Sequence, residues 1–457
     1  MKYVVCLFVS CFVLFASMVG AAENDDPIVV RLATEAQRIP LYMTHIAPAS
    51  SGFDKSYCDQ IEKVFRFDLD HNGMTYLLPY SPEKDQQVGA QAFDQTINPS
   101  VWKNLGAFYV VKVKVEDKKL SIRLFAANSE TGKSVNAISL SGNLATDRRL
   151  IHQVADTIHK TLFGTDGIAT TKIIYTVKIG KDSDASSEVW EADYDGGNSH
   201  QITRNSGYAI TPTYIPPKQG YTAGTCLYVS YKTGQPKIYY QSLKEGSSPS
   251  RLTLMRGNQL MPAMTRQRDK IAFICDITGN PDLFIQNFNP EKGAVDKPYQ
   301  IFSTHLATQG TPTFSPDGSE IAFVSNKDGS PRIYIMPVPA PGTSLKDIKA
   351  TLISKRNKEN SAPAWSPDGT KIAYCSMGPD GRQIWVYDRV TKQERQLTQG
   401  TGNKENPTWA PNSLHLVFNS SGKGDCQIYL INLNQPDATK ITSGAGEKRF
   451  PSWEPRS

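Results

Sequence analysis

The chain of 457 residues predicts two folds in tandem: a small N-terminal α/β domain followed by an all-β six-bladed β-propeller. Three observations predict this. A Pro-x-aromatic strand, a tight turn and an apolar strand recur, with marker prolines at 212, 262, 312, 363, 407 and 451, spaced 50, 50, 51, 44 and 44 apart. A strand-built period of that size is the signature of propeller blades. In the clearest copy, 361–376, Asp368-Gly369 separates the two apolar runs, and glycine there takes the positive φ that a tight turn needs. Ahead of the repeats the pattern changes to helices mixed with one alternating hairpin.

Composition and the first residues bound the class. Hydrophobic residues make up 39% and aromatics 10%, as in an ordinary globular protein, and 29 prolines with 33 glycines suit a fold of many turns. The net charge of +6 is mild for this length and contains no dense basic run, so nucleic-acid binding is not indicated. Lys2, an apolar run from Tyr3 to Val19, then Gly20-Ala21-Ala22 before acidic Glu23 read as a secretory signal peptide cut after Ala21. The expected organisation is signal peptide 1–21, arm 22–37, α/β domain 38–164, linker 165–171 and propeller 172–457. Cys58, Cys226, Cys275, Cys375 and Cys426 stay in the mature chain. An odd count leaves at least one unpaired, and buried free thiols are the expected state.

In the α/β part, a strand is expected at 39–43 and a helix at 57–69, where Ile61, Val64 and Phe65 recur at helical spacing. A strand at 74–78, a short helix at 101–105, a hairpin at 107–115 and 120–126, and a third strand at 134–140 follow. Residues 147–163 carry Leu150, Ile151, Val154, Ile158 and Leu162 on one side of a helix that Gly164 ends.

The propeller begins midway through a repeat. Residues 172–178 match the second strand of a blade, with no Pro-x-aromatic strand before them, while Phe450-Pro451-Ser452-Trp453 is left over at the far end. The C-terminal strand is therefore expected to complete the first blade and close the ring, which removes free edges. Third strands recur at Val189, Ile238, Leu283, Ile333, Ile384 and Ile428, giving six blades.

These repeats, with the leader, the α/β layout, Ala192-Asp193-Tyr194-Asp195-Gly196-Gly197 and the terminal Pro451-Ser452-Trp453-Glu454-Pro455, resemble the TolB family. Departures are Thr265-Arg266-Gln267-Arg268 and Ala410-Pro411-Asn412-Ser413 in place of Ser-Pro-Asp-Gly, and an insertion around 216–220. The resemblance implies a monomeric periplasmic scaffold of the Tol-Pal system, peripherally associated with the envelope, that supports outer-membrane integrity and cell division. It implies a Pal-like peptidoglycan-associated lipoprotein held at the propeller mouth and a TolA-like inner-membrane-anchored protein held by the arm.

Enzymatic alternatives are propeller-bearing peptidases and sugar-processing proteins. The chain has no G-x-S-x-G elbow, and its seven histidines are scattered, so no catalytic role, cofactor or metal is expected. His152 and His159, two turns apart on one helix, read as exposed or half-buried helix residues. Loops leading into the innermost strands open on one rim around the axis. The candidate contacts there are Asn205, Tyr208, Asn258, Gln259, Met261, Gln309, Asn360, Ser361, Lys404, Glu405 and Lys448, a mixed polar rim with an apolar anchor that suits a protein partner. On the arm the candidates are Glu23, Asp25, Ile28, Val29, Val30 and Arg31, where the Ile28-Val29-Val30 backbone suits addition of a strand to a partner's sheet edge.

Overall fold

A computed structural model describes residues 38–127, 129, 132–422 and 424–456. The expected signal peptide and arm lie outside them. The α/β part runs β1 (Ile39–Met43), α1 (Lys55–Asp70), β2 (Thr75–Leu77), α2 (Pro82–Gly89), α3 (Pro99–Leu105), β3 (Tyr109–Glu116), β4 (Lys119–Ala126), β5 (Lys133–Ser139) and α4 (Leu144–Phe163). Its sheet order is β2-β1-β3-β4-β5, with β1 parallel to both neighbours and the other pairs antiparallel. Asp54 caps α1 by accepting from Tyr57 N at 2.8 Å, and the helix buries Ile61, Val64 and Phe65. The short helix α2 has no apolar period, burying only Val88; the Ser81 cap and Pro82 at its first turn start it instead. The long helix α4 begins at an Asn143 cap, three residues earlier than its apolar stripe suggests, and ends at Gly164 in the left-handed conformation. Among the described residues no helix is long and apolar enough to cross a membrane.

The segment 165–171 has no regular element but is held tightly: Asp156 of α4 accepts from Ala169 N at 2.8 Å and Thr170 N at 3.1 Å. The propeller follows as six four-stranded sheets. Blade 1 is completed from both ends of the domain, in the order Glu447–Trp453, Lys172–Ile179, Ser186–Asp193, His200–Gln201. Ser452 and Trp453 pair with Ile174 and Ile173, and the Trp453 indole donates to Thr171 Oγ1 at 2.8 Å. The ring is closed as the leftover strand predicts.

Every innermost strand carries the same irregularity. The residue before each marker proline has a positive φ: Thr211 (47°), Met261 (53°), Thr311 (31°), Ala362 (50°), Asn406 (55°) and Phe450 (52°). The pairing register shifts at each of these places. Proline has no N–H to donate to a ladder, and a bulge takes it out of register with its neighbour strand. The two departures from Ser-Pro-Asp-Gly keep the turn. Arg268 N donates to Thr265 O and Ser413 N to Ala410 O, as Gly318 and Gly369 do to Ser315 and Ser366, so Arg268 (59°) and Ser413 (56°) take the left-handed position of those glycines.

The described residues form one compact unit. One apolar cluster runs from Phe65, Val111 and Ile151 of the α/β part into Ile173, Tyr194, Val417, Ile428 and Trp453, so the small domain sits on blades 1 and 6. Cys58, Cys226, Cys275, Cys375 and Cys426 are free and buried.

Candidate protein-binding face

The antiparallel ladders sort the loops between two ends of the propeller. In blade 3 the start of the inner strand, Gln259, pairs with Cys275 at the end of the second, which pairs with Asp282 at the start of the third. Loops into the inner strands and loops between second and third strands therefore share one end. The opposite end carries the Asp-Gly turns. There the α/β domain docks: Gly73 lies against Leu414 and His415, and the His71 ring reaches Thr439 Oγ1 at 3.0 Å. The rim predicted as a partner site is the end turned away from that domain.

The eleven predicted rim residues fall into two groups. Gln259, Gln309, Asn360, Lys404 and Lys448 are buried. Each stands three residues before its marker proline and turns inward to hold the loop that precedes it. Gln259 Nε2 donates to Met255 O at 2.7 Å, Gln309 Nε2 to Thr304 Oγ1 at 3.4 Å and Asn360 Nδ2 to Asn357 O at 2.7 Å. Lys404 Nζ lies 2.6–3.2 Å from the carbonyls of Gly400, Thr401 and Gly402, and Lys448 Nζ repeats this with Gly444, Ala445 and Gly446. Burial lowers the pKa of both ammonium groups. Three aligned carbonyls replace the water each ammonium loses.

The other six reach solvent or the channel. Asn205 is exposed and Tyr208 half-buried against Tyr231. Asn258 is tied to Asp276 through N (2.8 Å) and Nδ2 (2.7 Å), and Glu405 faces Arg382 at 3.5 Å. Ser361 is half-buried in its strand, opposite Cys375. Met261 lines the axial cavity, a space of roughly 720 Å³ walled by the marker prolines, and its sulfur accepts from Thr311 N at 3.1 Å. Residues not foreseen on this end include Leu254 (86% exposed) on the loop into blade 3, Ile277 (45%) between its second and third strands, and Leu306 (81%) on the loop into blade 4. Leu254 and Leu306 follow no strand period, so the sequence pattern carries no sign of their exposure.

At the docked end, α4 presents a polar stripe to the propeller. Arg148 Nη2 lies 2.6 Å from Asp195 Oδ1. His152 Nδ1 lies 2.8 Å from Asp68 Oδ2, and its Nε2 lies 3.7 Å from Asp193 Oδ2. Tyr194 OH donates to Asp68 Oδ1 at 2.8 Å. His152 and His159 are buried, which corrects the exposed or half-buried reading: the face they share is covered by the propeller. Burial alone would lower His152, but Asp68 and Asp193 on either side carry it up to about 10. Burial pushes the Asp68 carboxyl up, against the pull of the His152 imidazole beside it.

Comparison with known proteins places this architecture. The family model for the TolB beta propeller domain matches residues 159–344 and 340–457. The TolB homologue of Protochlamydia amoebophila is 54% identical over 403 residues, covering 87% of this chain and 86% of that one. The chain belongs to the TolB family. The TolB homologue of Chlamydia felis is 41% identical over 403 residues, again covering 87% and 86%. The crystal structure of TolB from Acinetobacter baumannii matches with a TM-score of 0.72 at 19% identity, over 92% of this chain and 98% of that one, which shows the shared fold.

In this TolB-family chain one group of described residues brings metal-ligand types together. His152, Asp193 and Asp195 offer atoms within 4.8 Å of one another. Arg148 occupies the same place, holding Asp195 at 2.6 Å and Asp193 at 3.5 Å, and a guanidinium there supplies the positive charge a cation would otherwise bring. The cluster reads as an ion-pair clasp between the two parts.

Proposed function

We propose that this chain is a non-catalytic periplasmic scaffold of a Tol-Pal-type envelope system. It is exported by the leader 1–21, holds a Pal-like lipoprotein on the rim turned away from the α/β domain, and holds a TolA-like protein through the arm 22–37. Membership in the TolB family carries this reading. The rim adds physical support. Its loops are anchored from within by Gln259, Gln309, Asn360, Lys404 and Lys448, so the surface is preformed, and Leu254, Ile277 and Leu306 supply exposed apolar contacts among polar neighbours. A preformed rim with exposed apolar side chains loses little freedom on docking a folded partner. The experiment is binding of the exported protein and its 22–33 deletion to purified Pal-like and TolA-like proteins. The deletion is expected to lose the TolA-like partner and keep the Pal-like one. Retention of both partners by the deleted protein overturns the arm assignment, and an exported protein whose intact mass includes residues 1–21 overturns the leader.

A further inference from the structure

The axial cavity of about 720 Å³ is built from the same few positions of all six inner strands. Its wall holds the marker prolines, and the residue after each of them is Thr, Ala or Ser, too short to fill the axis. Proline carries no N–H, so the wall offers few donors. Trp365, Trp409 and Trp453, three of the chain's six tryptophans, stand at its side.

Four places after each marker proline comes the mouth: Pro216, Arg266, Pro316, Pro367, Pro411 and Pro455. The turn that departs from Ser-Pro-Asp-Gly thus sets one arginine in a ring of prolines. Neighbouring turns hold this mouth in place. Gln267 Nε2 donates to Pro316 O at 3.1 Å, Asp368 N to Ser413 Oγ at 2.9 Å, and Arg266 Nη2 to Arg456 O at 3.5 Å. The other charges there are matched. Arg456 Nη2 lies 3.3 Å from Asp156 Oδ2, and Lys160 Nζ lies 2.9 Å from Asp166 Oδ1. His159, also at the mouth, is buried and bound through Nε2 to Thr165 Oγ1 at 3.2 Å. Arg266 is exposed and has no ion-pair partner among the described residues.

We propose that the axial cavity binds an aliphatic carboxylate, its hydrocarbon tail along the proline-walled axis and its carboxylate on Arg266. The volume is that of a small-molecule site. The wall favours a hydrocarbon tail over a peptide, because buried peptide N–H and C=O groups would find few partners among prolines and short side chains. The planar fork of Arg266 matches a carboxylate in shape and charge. Arg266 lies at the end opposite the proposed partner rim, so the site stands apart from that reading.

The test is titration of the full mature chain with decanoate below its micelle concentration, followed by tryptophan fluorescence and calorimetry. Saturable binding is expected, about tenfold tighter than that of octanoate, which buries two fewer methylenes. Decanol, the tail without the charge, is expected to bind more weakly, and acetate, the head alone, not to saturate. Arg266→Gln is expected to weaken decanoate about tenfold and leave decanol unchanged. Ala263→Leu, which places a larger side chain on the cavity wall, is expected to weaken both; if it misfolds, Arg266→Gln, exposed in its turn, carries the test. Absence of saturable decanoate binding, or equal decanoate affinity in folded Arg266→Gln, overturns the proposal. Tighter binding of trileucine than of decanoate overturns it in favour of a peptide. Decanoate binding that appears only after residues 22–37 are deleted overturns it in favour of the arm.

Discussion

At single residues, the turn at 265–268 shows how the repeat tolerates a wrong letter. Arg268 holds a left-handed φ that glycine holds in the sister turns. That conformation costs an L-residue about 1–2 kcal/mol, while glycine loses about 0.4–1 kcal/mol through its freer unfolded chain. Arg268→Gly is therefore expected to stabilise the protein by about 0.5–1 kcal/mol, measured by urea unfolding; a lower midpoint contradicts the reading. The buried loop anchors were readable in part. Gln259, Gln309, Asn360, Lys404 and Lys448 recur three places before the marker proline, and strand alternation puts that offset on one side. Their chemistry reads as that of rim contacts because polar residues in loops are usually solvated. Only the loop backbone, curled around each side chain with its carbonyls turned inward, shows that they face in.

Among the elements, the closing strand and α4 differ in legibility. The spare Pro-x-aromatic strand at the C-terminus declared its partner, because only one blade lacked an inner strand. Removing 450–457 is expected to abolish cooperative melting. It strips Trp453 with its bond to Thr171, and Glu454, which accepts from Lys172 N at 3.0 Å and Ala223 N at 3.1 Å. A buried aromatic alone contributes about 3–5 kcal/mol. A calorimetric transition like that of the parent would place closure elsewhere. Helix α4 has two working faces. Its apolar face, Ile151, Val154 and Ile158, was plain from spacing. Its other face carries Arg148, His152, Asp156 and His159 at offsets of four, four and three; the two histidines read as exposed or half-buried because a polar stripe facing water and one facing a polar partner have the same period. Gly73→Ala probes that docking. Its Cβ would come within 2.5 Å of Leu414 Cδ2 on a backbone at φ 86°, so a loss of about 2 kcal/mol or more is expected in thermal unfolding. An unchanged melting temperature would mean that the domain is not pressed there.

For the whole molecule, the order of folds, the six blades and the ring closure followed from periodicity. The seat of the α/β domain on blades 1 and 6 did not, because it depends on tertiary contacts between residues more than three hundred positions apart, such as Gly73 and His415. That seat covers the Asp-Gly end at blades 1 and 6 and lies away from the opposite rim, the face proposed for a partner. The direct measurement is the affinity of purified mature chain for a Pal-like lipoprotein, compared with a variant carrying Leu254→Asp and Leu306→Asp. Both side chains are exposed, so the fold is expected to stand, as an unchanged circular dichroism melt would verify. Losing these exposed apolar contacts is expected to weaken binding by about tenfold or more, with binding to the TolA-like protein unaltered. An unchanged lipoprotein affinity in the folded variant would contradict the assignment of the open rim as the partner face.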